Sequence, residues 1–134
     1  MGTRLYLSRG KINPKYNKDN IEDKYIAWDE LYIGKAYESL DILFKGRLRD
    51  LIYHNYNRDE DERGIMRSDI KEYCGALLDI QDVSSFVHNN WSDEIQNAYY
   101  GDWQPHELIE TIQKMQAFIQ SIYDRDQILI SELY

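Results

Sequence analysis

Asp59-Glu60-Asp61-Glu62 is an unbroken run of four carboxylates, a pattern that a hard cation or a basic surface would recognise. Counted as a calcium loop from Asp59, position 3 is Asp61 and position 6 is Gly64, but position 5 is Arg63 and position 12 is Ile70. An EF-hand needs an oxygen ligand at the fifth place and a bidentate Glu at the twelfth, so that chemistry is excluded. What remains is a solvated acidic loop, or one that presents carboxylates to Arg and Lys on a partner.

A second group lies between Trp91 and His106. It interleaves Trp91, Tyr99, Tyr100, Trp103 and His106 with Asp93, Glu94, Asp102 and Glu107. Tyr and Trp offer a large contact area for little rotamer entropy, and rings among acids suit a basic protein or a cationic ligand. The same rings also suit the packing of a core poor in Phe and Val. The chain has 12 Tyr, 3 Trp and 3 Phe, and Tyr53 and Tyr56 likewise stand off any apolar stripe.

Other reactive chemistry is not indicated. No glycine-rich phosphate loop and no G-x-S-x-G elbow occurs. His106-Glu107 is followed by Leu108, Ile109 and Glu110, so the H-E-x-x-H zinc signature lacks its last ligand. His54, His88 and His106 fall on different expected elements. Asp79/Asp82 and Glu107/Glu110 have the spacing of one helix face, where like charges normally mean solvent. Cys74 falls on an apolar side between Tyr73 and Leu77 and reads as a core thiol. We expect no catalytic residue, no cofactor and no metal.

The 134 residues carry 16 bases and 24 acids, a net charge of −8. Residues 1–18 hold five bases and no acid, while Glu72–Tyr134 holds two bases against eleven acids. A negative field repels nucleic-acid phosphates and attracts cationic surfaces. No apolar run is long enough for a membrane span, and the first residues lack a secretion signal's apolar core, so we expect a cytoplasmic protein. One cysteine excludes a disulfide scaffold.

These side chains need elements to position them. Leu5 and Leu7 alternate with polar neighbours over Thr3–Ser8, the period of a half-buried strand. Gly10–Asn20 reads as loop. From Trp28, apolar residues at Ile33, Ala36, Tyr37, Leu40, Leu43, Phe44, Leu48, Leu51 and Ile52 predict a helix over 28–54, one piece or broken in two at Gly46. Residues 54–64 form a polar loop. Ser68 caps a helix with Ile70, Tyr73, Cys74, Leu77 and Leu78 inward, and its stripe resumes at Val83, Phe86 and Val87 after Asp79–Asp82. Ser92 caps a short helix to about Tyr100, and Pro105 opens another. In that helix Leu108, Ile112, Met115, Ile119 and Ile122 form a narrow seam. Gln127–Leu133 is a last helical turn or a strand able to pair with Leu5–Leu7.

The expected fold is one acidic domain, 1–134, with a basic polar segment over 1–20. It is mainly α, a small bundle of four to five helices with room for a minor strand pair from the two ends. The expected function is a binding module that masks a basic protein, such as a nuclease or toxin, without touching nucleic acid or membrane. In size, charge and lack of catalytic motif it resembles the acidic immunity and anti-defence proteins of bacteria and phages, with no shared residue motif. The candidate contact residues are Asp59, Glu60, Asp61, Glu62, Asp93, Glu94, Tyr99, Tyr100, Asp102, Trp103 and His106. Two alternatives stand beside it: a small enzyme or ligand-binding domain with a pocket around Tyr99, Tyr100, Trp103 and His106, and a homodimeric regulatory or structural subunit joined through the 108–122 helix.

Overall fold

The computed structural model describes residues 4–13, 25–53, 64–66, 69–122 and 127–133. The architecture is mixed α/β, which corrects the expected helical bundle. Among the described residues four strands, β1 (Leu5–Ile12), β2 (Tyr25–Gly34), β3 (Gly64–Met66) and β4 (Gln127–Leu133), form one antiparallel sheet in the order β2-β1-β4-β3. Six α-helices among the described residues accompany it: α1 (Ala36–Leu43), α2 (Arg49–Ile52), α3 (Ile70–Leu78), α4 (Val83–Asn89), α5 (Asp93–Asn97) and α6 (Pro105–Gln120). A 3₁₀ turn, Ala98–Tyr100, follows α5.

The strand pair between the ends does form, with Leu5 opposite Leu133 and Leu7 opposite Ser131. It is the centre of the sheet, not a minor addition. β4 is buried from Ile128 to Ser131 on both of its faces. A strand covered on both sides reads as a continuous apolar run, and Ile128-Leu129-Ile130 is one. β1 extends to Ile12, beyond the expected Ser8 and into the supposed loop.

The largest departure from the expected elements begins at Trp28. Residues 28–34 belong to β2, and the helix begins at Ala36. The apolar spacing from Ile33 to Leu40 ran across the junction because both elements bury their residues in the same core. Gly34, at φ 69, turns the chain out of the strand. The helix then breaks where Gly46 suggested. Lys45 (φ 54) and Gly46 (φ 80) are left-handed, Gly46 N–H reaches the Asp41 carbonyl and Lys45 N–H that of Ile42. That is a Schellman end, which satisfies carbonyls the helix leaves open.

The remaining helices follow their caps and stripes. The expected stripe from Ile70 to Val87 is two helices. The Asp82 carboxylate ends the break by accepting the N–H and hydroxyl of Ser85, which holds its pKa below the usual carboxylate range. Ser92 accepts from Ile95 N–H, as expected of a cap. Pro105 opens α6, and the Glu107 carboxylate returns to Gln104 N–H at 3.0 Å. Ser68 lies outside the described residues.

The core lies between one sheet face and the helices. Leu5, Leu7, Ile65 and Leu129 face Leu40, Phe44, Leu51, Leu77 and the α6 seam. Leu108, Ile112, Met115, Ile119 and Ile122 are all buried within their own chain, so the seam offers no apolar stripe to a second copy. The Gln116 amide donates to the Leu77 and Ile80 carbonyls, each at 2.9 Å, fixing α6 to the end of α3. Arg9 fastens the sheet to the far end of α6: its guanidinium reaches Ser121 Oγ at 2.7 Å and Asp29 at 2.9 Å, and lies 5.9 Å from the Phe118 ring centre.

Candidate aromatic contact site

The segment from Trp91 to His106 is built around α5 and the turn after it. Ile95 is buried, and its carbonyl accepts the hydroxyl of buried Ser39 on α1. This fixes α5 to the body. Gln96 then closes the following loop twice: its carbonyl accepts Trp103 N–H at 2.7 Å, and its amide donates to Asp102 Oδ1 at 3.0 Å. The Ala98 carbonyl accepts the Trp103 indole N–H at 3.0 Å and Gly101 N–H at 3.1 Å. Trp103 is half-buried against the core and anchors the loop's return.

Between these fastenings, three side-chain-bearing residues take left-handed backbone: Tyr99 (φ 54), Tyr100 (φ 57) and Asp102 (φ 45). Such conformations cost roughly 1–2 kcal/mol per residue for L-amino acids other than Gly. The hydrogen bonds of Gln96 and Ala98 hold the strained turn in place. The two tyrosines then diverge. Tyr99 is half-buried, with Lys35 Nζ 4.9 Å from its ring centre. Tyr100 is fully exposed, at 102 %. Such strain, where it persists, clusters at sites that use it.

The expected residues are partly brought together. Tyr99, Tyr100, Asp102 and Trp103 share one turn. Asp93 and Glu94 are exposed in the first turn of α5, where the helix dipole favours acids. His106 is exposed in the first turn of α6, with no hydrogen bond or ion pair among the described residues. Asp59, Glu60, Asp61 and Glu62 lie outside the described residues. The spaced carboxylate pairs do not form acid–base dyads: Asp79 and Asp82 flank a helix break, Glu107 caps α6, and Glu110 pairs with Lys114 at 3.1 Å. Cys74 is buried, and burial pushes its thiol up to about 12. Among the described residues no cluster of three or more His, Cys, Asp or Glu is placed to hold a metal ion, and no helix is long and apolar enough to cross a membrane.

Four contributors escaped the sequence reading: Lys35, Gln96, Ala98 and Gly101. Gly101 had a legible signal, a glycine set between Tyr100 and Trp103 where a ring needs room. Lys35 had none, because its partner Tyr99 is distant in sequence. No family model matches the chain, and neither the curated proteins nor the solved structures searched give a match.

Proposed function

We propose that this chain is a small protein-binding module that masks a basic partner, in the manner of an inhibitor, immunity or anti-defence protein. The observation that carries the reading is Tyr100: a whole aromatic side chain in solvent, on a strained turn fastened from both sides. The backbone beneath the ring needs no further ordering on contact, and exposed Tyr and Trp anchors dominate binding energy at interfaces. Asp93, Glu94 and Asp102 are exposed on the same segment and supply the sign of the partner. The mechanism is occlusion. Carboxylates stand where the partner's anionic substrate would sit, and the tyrosine sets the residence time.

A pocket with His106 as proton-transfer group is the weaker reading, because no carboxylate orients that imidazole among the described residues. The test is affinity capture of the physiological partner from the native host at rising salt. Tyr100→Ala should weaken capture by about 2 kcal/mol or more, as expected for an anchor residue. Asp93→Lys with Glu94→Lys should abolish the salt dependence. Capture unaffected by either change would refute the assignment of this face.

A further inference from the structure

A long run of backbone stands open at the rim of the sheet. β2 is the outermost strand and has ten residues, with β1 on one side. Among the described residues no backbone bond reaches its other side. The opposite rim is β3, only three residues long, and a short edge is one of the usual protections against strand addition. β2 also lacks the lysines that commonly guard an open edge: it carries Asp29 and Glu30 and no base. Its register with β1 skips a residue at Trp28 and at Ile33, and such bulges twist an edge away from partners. Between them, Asp29–Tyr32 pairs regularly with Arg9–Tyr6. Within this regular stretch Tyr32 is 55 % exposed, and the Glu30 carboxylate is exposed with no partner among the described residues, although the Glu30 N–H is taken by Asp29 Oδ1. Asp29 is already engaged, by Arg9 and by the N–H of Glu30.

We propose that the outer edge of β2, over Asp29–Tyr32, takes an extended cationic segment of a partner protein as an added strand. Main-chain bonds to the edge supply the attachment, and a Lys or Arg opposite Glu30 supplies the choice. A second copy of this chain is the poorer occupant. The fully overlapping antiparallel register of two β2 strands sets Asp29 against Glu30, and like charges directly opposed are destabilising. The open edge is a feature of the sheet alone; the cationic sign of its occupant agrees with, and rests in part on, the masking reading.

The test uses the full chain and a blocked peptide of alternating lysine and threonine, as long as the ten residues of β2. Controls are the same peptide with every backbone nitrogen methylated, which keeps the charges and removes the amide donors, and its glutamate–threonine counterpart. Binding is followed by calorimetry and by amide hydrogen exchange. The lysine peptide should bind at least about tenfold tighter than the methylated one and slow exchange at Asp29–Tyr32. The glutamate peptide should not bind, and Glu30→Lys should weaken the lysine peptide severalfold. Equal binding of the methylated peptide, absence of binding, protection confined to residues 91–106, or self-association through β2 each overturns the proposal. Tyr100→Ala separates the two readings. If it abolishes partner capture while the peptide leaves β2 unprotected, the edge inference falls and the masking reading stands. If the peptide protects β2 while Tyr100→Ala leaves capture intact, the reverse holds.

Discussion

Gly101 lies against the indole of Trp103, so closely that a Cβ at Gly101 would fall inside the van der Waals envelope of the indole nitrogen. The contact is structural, because that nitrogen donates to the Ala98 carbonyl and cannot retreat without losing the bond. Gly101→Ala should therefore lower stability by about 1–3 kcal/mol, the usual penalty of overpacking. Urea unfolding followed by tryptophan fluorescence measures it. A change under about 0.5 kcal/mol, typical of an indifferent surface site, would show the loop to be looser than described.

Tyr100 should trade stability against binding. Its side chain is in solvent, so replacing it removes no packing, while its φ of 57 favours glycine. Tyr100→Gly is expected to raise unfolding free energy by up to about 1 kcal/mol, even as partner capture declines. A thermal melt that shows a net loss of stability would mean that the ring contributes to the fold.

Arg9 ties three elements at once. Its side chain is about one-quarter exposed, at 23 %, and joins Ser121, Asp29 and the Phe118 ring. Arg9→Met keeps the apolar stem and loses the charge-assisted bonds, which should cost about 1–3 kcal/mol. Arg9→Lys should recover only part, since one ammonium cannot reproduce a planar fork that reaches Ser121 and Asp29 together. Chemical denaturation of the three proteins compares them. Full recovery by lysine would reduce the contact to simple charge.

Cys74 sets an alkaline limit. Its folded pKa is pushed up to about 12 from an ordinary 9.0 by desolvation. A thiol whose folded pKa is raised leaves stability intact below its unfolded pKa. That stability is then lost as pH climbs from 9.0 toward about 12, because only the unfolded chain releases the proton easily. Cys74→Ala should flatten this alkaline decline. At neutral pH the native thiol should react with a thiol reagent only as fast as the chain opens, a rate read in a stopped-flow or overnight assay. Prompt labelling under native conditions would place the sulfur nearer to solvent.

Ile112 lies at the middle of the α6 seam and is fully buried in its own chain. Ile112→Ala should cost about 2–5 kcal/mol of unfolding free energy and leave the sedimentation coefficient unchanged. A variant that kept its stability and halved its mass in the ultracentrifuge would restore the dimer seam that the sequence suggested.

The parts of this fold that could be read in advance are those with local causes. α6 announced itself through Leu108, Ile112, Met115 and Ile119 and through Pro105 at its start, and Ser92 capped as its side chain allows. Leu5 and Leu7 alternated as a strand, and Gly46 broke a helix. The end of β2 carries a helical signature because Ile33, Ala36, Tyr37 and Leu40 keep a helical step across a strand end, with Gly34 as the local mark of the change. β3 is too short to show any period. At the candidate site, Tyr99, Tyr100, Asp102 and Trp103 were found by composition. The lysine over Tyr99 is brought in from a distant stretch of chain, and the left-handed backbone beneath the rings is held by local bonds of Gln96 and Ala98 that residue types alone do not announce.

The place of β1 between β2 and β4 governs how this molecule can come into being. One whole side of the strand stays unmated until Gln127–Leu133, far along the chain, has left the ribosome. The nascent chain can assemble helices as it lengthens, but it cannot seal the sheet. β4 therefore acts as the clasp, and a chain cut just short of it has a gaping seam, bait for chaperones and proteases.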